Sequence, residues 1–301
     1  MNHKLIVIAG PTASGKTAAA IKLAQHYKTA IISADSRQFY REMAIGTAKP
    51  NWLELAAAKH YFIDSHSVTE PFSVGDFEKQ GLALLDELFQ SHNIVILVGG
   101  SGLYIKALCE GFDDMPQADV TVREQLNTEF ALKGIAALQD ELKTADPAYY
   151  DEVDLQNPQR IIRALEVYRS TGKPFSSFRK STINKRPFDT LKIGLDLPRA
   201  VLYDRINQRV DEMIKDGLVE EVKELIPYRS LNALNTVGYS EVFDYLDNKT
   251  DLNRAIELIK QNTRHFAKRQ LTWFRKDKTI HWLQPDDIKP EIITGLLDQA
   301  Q

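Results

Sequence analysis

Apolar residues in this chain follow two rhythms. Short unbroken runs occupy residues 5–9, closed by Gly10, residues 30–32, ending near Asp35, and residues 94–98, in a strand opening at Asn93. Runs of that length without polar alternation predict strands buried on both faces of a parallel sheet. Between them the apolar positions recur every three or four residues, which predicts helices over 16–27, 73–90 and 103–110. Ser73 with Asp76 three residues on forms a variant of the capping box, whose third position prefers Glu or Gln. Strand and helix alternating in this way argue for an open α/β sheet with crossover helices.

The pattern changes after Phe112. Helical spacing fills residues 122–132, 135–143 and 159–170 before an apolar strand returns at 192–197. A long amphipathic helix is predicted from Arg199 to about Ile226, and Ile280 to Leu283 reads as a short last strand. The expected organisation is a core domain of residues 1–112 and 191–301, with a mainly helical domain of residues 113–190 inserted into it.

Composition narrows the class. The 301 residues are 43% hydrophobic and 26% charged, which excludes collagen-like, mucin-like and wholly disordered chains. A single cysteine, Cys109, permits neither an intrachain disulfide nor a Cys-based zinc cluster, and a reducing, cytoplasmic setting is expected. No run approaches the ~20 apolar residues of a membrane span. The start, Met-Asn-His-Lys followed at once by a strand, lacks the pattern of a signal peptide, so a soluble, unexported protein is expected.

The net charge of −3 gives no support to a nucleic-acid partner, and any such case must rest on the local distribution. Residues 155–188 carry eight Lys/Arg against Glu166, and residues 263–278 carry six against Asp277. Such runs are commonly solvated helix faces, and two of them make a positive surface only if they fold onto one side.

The sharpest chemical signal is Gly10-Pro11-Thr12-Ala13-Ser14-Gly15-Lys16-Thr17, a G-x-x-x-x-G-K-[ST] motif between a predicted strand and a predicted helix. Its backbone amides and the helix N-terminus suit a diphosphate or triphosphate, Lys16 supplies a point charge, and the Thr17 hydroxyl suits Mg²⁺. Asp35, with Ser36, Arg37 and Gln38, sits at the carboxyl edge of the sheet, where such folds place ligands. It serves either as a metal-binding or proton-accepting carboxylate or as a helix cap. The strand at 94–98 ends in Gly99-Gly100-Ser101-Gly102 rather than in a Walker-B Asp, which disfavours a motor or switch GTPase. Close approach of backbone explains three such glycines better than tight turning alone. Arg205 and Arg209 share a helix face, and either a bound anion or neighbours such as Asp204 and Glu212 would relieve their repulsion. His60 and His66 show no metal-ligand spacing. Trp273 and Phe274 read as core anchors of the C-terminal helices.

The whole resembles the bacterial tRNA dimethylallyltransferases (tRNA isopentenyltransferases). The resemblance rests on the phosphate loop, Asp35-Ser-Arg-Gln38, Ile45-Gly-Thr-Ala-Lys-Pro50, Gly99-Gly-Ser-Gly-Leu-Tyr104, Asn157-Pro-Gln-Arg-Ile-Ile-Arg-Ala-Leu-Glu166, Val237-Gly-Tyr239 and Ala267-Lys-Arg-Gln-Leu-Thr-Trp-Phe274. One departure is Ser101, where the family often has Thr; the hydroxyl is kept. The resemblance implies a P-loop NTPase-like fold and transfer of a dimethylallyl group from dimethylallyl diphosphate to N6 of the adenosine 3′ to the anticodon, releasing diphosphate.

It further implies Asp35 as general base, with Lys16, Mg²⁺ on Thr17, and Arg209 stabilising the leaving group. The tRNA contacts it implies are Asp35, Ser36, Arg37, Gln38, Ser101, Arg123, Gln159, Arg160, Ile161, Ile162, Arg163, Val237, Gly238 and Tyr239. The insert becomes a clamp on the anticodon stem-loop, its affinity supplied by Arg160, Arg163 and the basic run to Arg186. The glycine turn at 99–102 is expected to leave room for a flipped purine. A monomer without membrane attachment is expected. The competing readings are a P-loop kinase acting on a small metabolite, prenylation of free adenine nucleotides, and a nucleotide-gated RNA-binding protein.

Overall fold

A computed structural model describes residues 3–113, 115–116, 119–179 and 184–299. In chain order the main elements are β1 (Lys4–Ala9), α1 (Lys16–Tyr27), β2 (Ile31–Ser33), α2 (Trp52–Ala57), β3 (His60–Tyr61), α3 (Val74–Leu88), β4 (Ile94–Gly99) and α4 (Gly102–Glu110). Then come α5 (Val120–Lys133), α6 (Ile135–Ala145), α7 (Pro147–Tyr150) and α8 (Pro158–Thr171). The chain continues through β5 (Asp189–Leu195), α9 (Arg199–Lys215), α10 (Leu218–Glu224), α11 (Tyr239–Leu246), α12 (Leu252–Phe274), β6 (His281–Leu283) and α13 (Pro290–Gln299).

The strands form one six-stranded sheet in the order β3-β2-β4-β1-β5-β6, and every pairing is parallel. Strand β1 lies between β4 and β5, with Leu5 opposite both Val95 and Thr190. Its unbroken apolar run is explained by two cores. Leu5, Val7 and Ala9 point into one, covered by Phe77, Leu85, Ile105 and Leu108 of α3 and α4. Ile6 and Ile8 point into the other, covered by Ala20 and Leu23 of α1 and Ile293 and Leu297 of α13. Each fully buried aliphatic side chain contributes about 1.5–3 kcal/mol, and neither face has a wet side where a polar residue would be tolerated.

The cap at α3 forms as expected. Ser73 Oγ accepts from the Asp76 amide at 3.2 Å, and Asp76 Oδ2 accepts from the Ser73 amide at 2.9 Å, so the shorter acid completes the reciprocal pair. The single helix expected from Arg199 to about Ile226 is instead two. Gly217, at φ +99°, takes a left-handed turn that ends α9 and starts α10, a conformation that glycine adopts without a Cβ penalty.

The chain divides into two compact units, Met1–Glu110 with Lys185–Gln301, and Gly111–Asn184. Residues 185–190, expected in the insert, belong to the sheet unit. Arg186 donates to the carbonyls of Ala107 and Leu108 and pairs with Glu78, and Asp189 opens β5 opposite Lys4. The insert has its own core of Leu126, Leu138, Leu142, Ile161, Ile162 and Leu165.

Candidate active site

The carboxyl ends of β1, β2 and β4 open into a cavity of about 490 Å³ within the sheet unit. Its lining includes Thr12, Lys16 and Thr17 from the loop after β1, residues 35–38 after β2, Ser101 after β4, and Arg209 from α9. The phosphate loop, the Asp35 turn and the glycine turn are thus gathered at the sheet edge where this topology places ligands.

Gly15 caps α1 without a side-chain hydrogen bond, which leaves the first amides of the helix for an anion. Lys16 Nζ donates to the Pro11 carbonyl at 2.6 Å. Burial pulls its pKa down to about 8; the nearby Asp35 carboxylate favours its charge, and Arg209 opposes it. A cation held this way gains from any incoming anion.

Asp35 caps no helix, since residues 36–39 form turns. Its Oδ1 accepts the Arg37 amide at 3.0 Å, which orients the carboxylate on the cavity wall. Gln38 is anchored, with Nε2 donating to the carbonyls of Thr47 and Ala48 at 3.1 Å each and Oε1 accepting from Ser33 Oγ at 3.3 Å. Ser101 Oγ accepts the Ser36 amide at 2.9 Å, tying the β4 tip to the Asp35 turn.

Close approach accounts for all three glycines at that tip. A Cβ on Gly99 would lie 2.2 Å from the Ala34 carbonyl, one on Gly100 2.3 Å from Gln270 Nε2, and one on Gly102 2.2 Å from the Trp273 ring. The space directly over these three Cα atoms is therefore filled by protein, while Gly99 and Ser101 of the same turn line the cavity. Phe274 is the buried core anchor expected, whereas Trp273 is 41% exposed.

Arg209 and Arg205 both reach the phosphate loop. Arg209 Nη1 lies 3.4 Å from Thr12 Oγ1, and Arg205 lies beside Gly15. Burial lowers the Arg209 pKa, while Glu212 and Glu54 attract it through space. Val237 and Gly238 line the cavity, but Tyr239 does not. Tyr239 is fully buried, with its hydroxyl donating to Glu221 Oε1 at 2.6 Å, and its ring fills the space where a Gly46 side chain would stand. The expectation that Tyr239 contacts RNA is corrected: it is a core residue whose partner Glu221 also accepts the amides of Ala44, Ile45 and Gly46.

In the insert, Arg123 and Arg163 converge on the buried Glu166, at 3.2 and 3.0 Å from Oε2, and Arg123 also bonds Gln159 Oε1. Gln159 and Arg160 are exposed on the first turn of α8. Ile161 and Ile162 are fully buried in the insert core, so their side chains are packing residues and not the RNA contacts expected of them. Lys180, in the basic run toward Arg186, lies outside the described residues.

Helix α12 supplies cavity residues that were given no role from the sequence, namely Thr263 and Phe266, outside the quoted motifs, and Arg269 and Gln270, within Ala267–Phe274. Gln270 is buried and bonded at both ends. Its Oε1 accepts the Thr12 amide at 2.9 Å, and its Nε2 donates to the Gly100 carbonyl at 2.9 Å. The available signal was a polar residue on the apolar stripe of Ala255, Ile259, Ala267 and Phe274. His60 also lines the cavity, its Nδ1 2.8 Å from the Ala58 carbonyl.

A parallel sheet whose first strand runs into a phosphate loop at the head of a helix is a P-loop NTPase-like architecture. Residues 38–277 match the model of the IPP transferase family, and the chain belongs to that family. A tRNA dimethylallyltransferase of Christiangramia forsetii is 55% identical over 95% of each chain, and one of Cytophaga hutchinsonii is 51% identical over 100% of this chain and 99% of its own. Among solved structures, the full-length tRNA isopentenylpyrophosphate transferase of Bacillus halodurans is similar, with a TM-score of 0.73, 37% identity, and coverage of 99% and 98% of the two chains. A eukaryotic dimethylallyltransferase described as acting on tRNA gives a TM-score of 0.78 at 28% identity, over 95% of this chain and 75% of its own.

Proposed function

We propose that this enzyme transfers a dimethylallyl group from dimethylallyl diphosphate to the N6 amine of the adenosine 3′ to the anticodon of tRNA. The observation that carries the reading is the union in one cavity of an anion cradle (Thr12, Lys16, Thr17, Arg209) with the Asp35 carboxylate and the Ser101 hydroxyl.

In the reaction the allylic C1–O bond breaks, the C1–N6 bond forms, and the amine proton passes to Asp35. Diphosphate departs as negative charge develops, so preorganised donors at the loop stabilise the transition state more than the ground state. Lys16 and Arg209 bear that charge, and the amides opening α1 add to it. An adenine amine is a weak nucleophile because its lone pair is delocalised into the ring, and a carboxylate acceptor restores reactivity as bond formation advances.

Magnesium fits the donor set. The Thr17 hydroxyl and the Asp35 carboxylate are hard oxygens on the same cavity. No cluster of three His, Cys, Asp or Glu suited to a metal occurs among the described residues, so water and substrate phosphates would complete the shell. When bound, the ion supplies Lewis-acid neutralisation of the leaving group.

RNA affinity is assigned to the exposed Gln159 and Arg160 and to the half-buried Arg123 and Arg163 of the insert, with the salt dependence that phosphate contacts impose. Among the described residues no helix is long and apolar enough to cross a membrane. The deciding experiment incubates the protein with unmodified tRNA and labelled dimethylallyl diphosphate, with γ-labelled ATP in parallel. Label entering RNA from the first alone supports the reading; label transferred from ATP to a small molecule overturns it.

A further inference from the structure

Two walls of the cavity must stand at a fixed separation. One is the phosphate loop that holds the leaving group, and the other is the Asp35–Ser101 turn that meets the acceptor. They belong to different loops, after β1 on one side and after β2 and β4 on the other. The Ser36 amide bond to Ser101 Oγ ties the β2 and β4 loops together. Only Gln270, reaching in from α12, is hydrogen-bonded through its side chain to both the phosphate loop and the β4 tip among the described residues.

We infer that Gln270 is a positioning residue that sets the register between the leaving-group cradle and the acceptor wall. The inference rests on the proposed function and adds a role that neither the motifs nor the family resemblance assigns. Three features of the site support it. The amide is buried and both of its ends are satisfied, so its orientation is unique: Oε1 faces a donor, Thr12 N–H, and Nε2 faces an acceptor, Gly100 C=O. The residue it holds on the loop, Thr12, also meets Arg209 through its hydroxyl, so one side-chain amide fixes the backbone beside the cation that faces the leaving group. The residue it holds at the tip has no side chain, and a Cβ there would stand 2.3 Å from Nε2. Gly100 is thus shaped to admit this amide.

Displacing either wall by an ångström leaves both substrates bound but lengthens the reach from allylic carbon to amine nitrogen. Misplacement of that size costs on the order of a hundredfold in rate. Rate should therefore suffer before affinity does.

Two substitutions separate the links. Gln270→Glu keeps an oxygen for the Thr12 amide and turns the other oxygen against the Gly100 carbonyl, so it breaks only the link to the tip. Gln270→Met keeps the volume and breaks both. The readouts are kcat and KM for dimethylallyl transfer to an anticodon stem-loop, with calorimetric affinity for inorganic diphosphate. The expected result for Gln270→Glu is kcat down about tenfold to a hundredfold, with KM and diphosphate affinity within about twofold. For Gln270→Met, kcat and diphosphate affinity both fall.

Should Gln270→Glu fail to fold, Gly100→Ala serves, since its methyl pushes on Nε2 from the other side and predicts the same split. An unchanged kcat in Gln270→Glu, or a loss of kcat matched by an equal loss of diphosphate affinity, overturns the inference and leaves the proposed function standing. A wild-type protein that transfers no dimethylallyl group overturns the proposed function and the inference with it.

Discussion

Two lysines in the sheet unit have opposite surroundings. Lys192, on β5, is bracketed by Glu110 at 2.6 Å and Asp277 at 2.7 Å. Burial lowers its pKa, but its two carboxylates more than compensate, and the net shift is upward. Lys16, at the sheet edge, is desolvated and has only the Pro11 carbonyl for a close partner among the described residues, and its pKa falls to about 8. One cation is complete within the protein and the other is completed by what binds. Incompletely neutralised buried charge is what distinguishes the site from the scaffold.

Removing each lysine should therefore act on different quantities. The largest effect is expected for Lys16→Ala. It should lower kcat/KM by about 10²–10³ through loss of leaving-group stabilisation while the melting temperature does not fall, because no internal ion pair is lost; a drop in melting temperature would make Lys16 structural. Next comes Lys192→Met, which strands two half-buried carboxylates. About 2–3 kcal/mol of stability should be lost, below the range for fully buried pairs because these retain some solvent, with kcat of the folded fraction unchanged. Denaturant titration and assays below the transition check both halves.

The pH responses should also oppose each other. Protonated Lys16 binds the anion, so affinity for an organic diphosphate should be flat below pH 8 and fall by up to tenfold per unit above it. Its depressed folded-state pKa means that the unfolded chain binds more protons between about 8 and the ordinary 10.5, so Lys16 makes stability rise with pH across that window. Lys192, raised above 10.5, contributes stability that is present below that value and lost as pH climbs through its folded pKa. Isothermal titration against pH and urea melts in Lys16→Ala and Lys192→Met backgrounds separate the two. The smallest effect belongs to Asp277→Asn, which leaves Glu110 on Lys192 and should cost about 1 kcal/mol; a loss as large as that of Lys192→Met would show that Glu110 alone cannot hold the ammonium.

What the sequence made legible were local features. The apolar runs of β1 and β4 and the phosphate loop between β1 and α1 needed only neighbouring residues to be read. Gly217 escaped because a single glycine among residues of helical spacing is tolerated in many helices, and only its φ shows the break. Tyr239, Ile161 and Ile162 sit inside motifs that also hold residues facing a cavity or solvent, and nothing in a motif separates a residue that touches a ligand from one that holds its neighbour in place. The pairing of Lys192 with Glu110 and Asp277 and the reach of Gln270 to Thr12 join residues far apart in the chain, and no periodicity records them.

The outermost strands of the sheet are short, two residues in β3 and three in β6. Unpaired backbone donors and acceptors along a sheet margin form a template on which a foreign strand can assemble. Here that template is too brief to hold a visitor, so the same central strands that are apolar on both faces are kept from seeding aggregation while their rims stay free to end in loops.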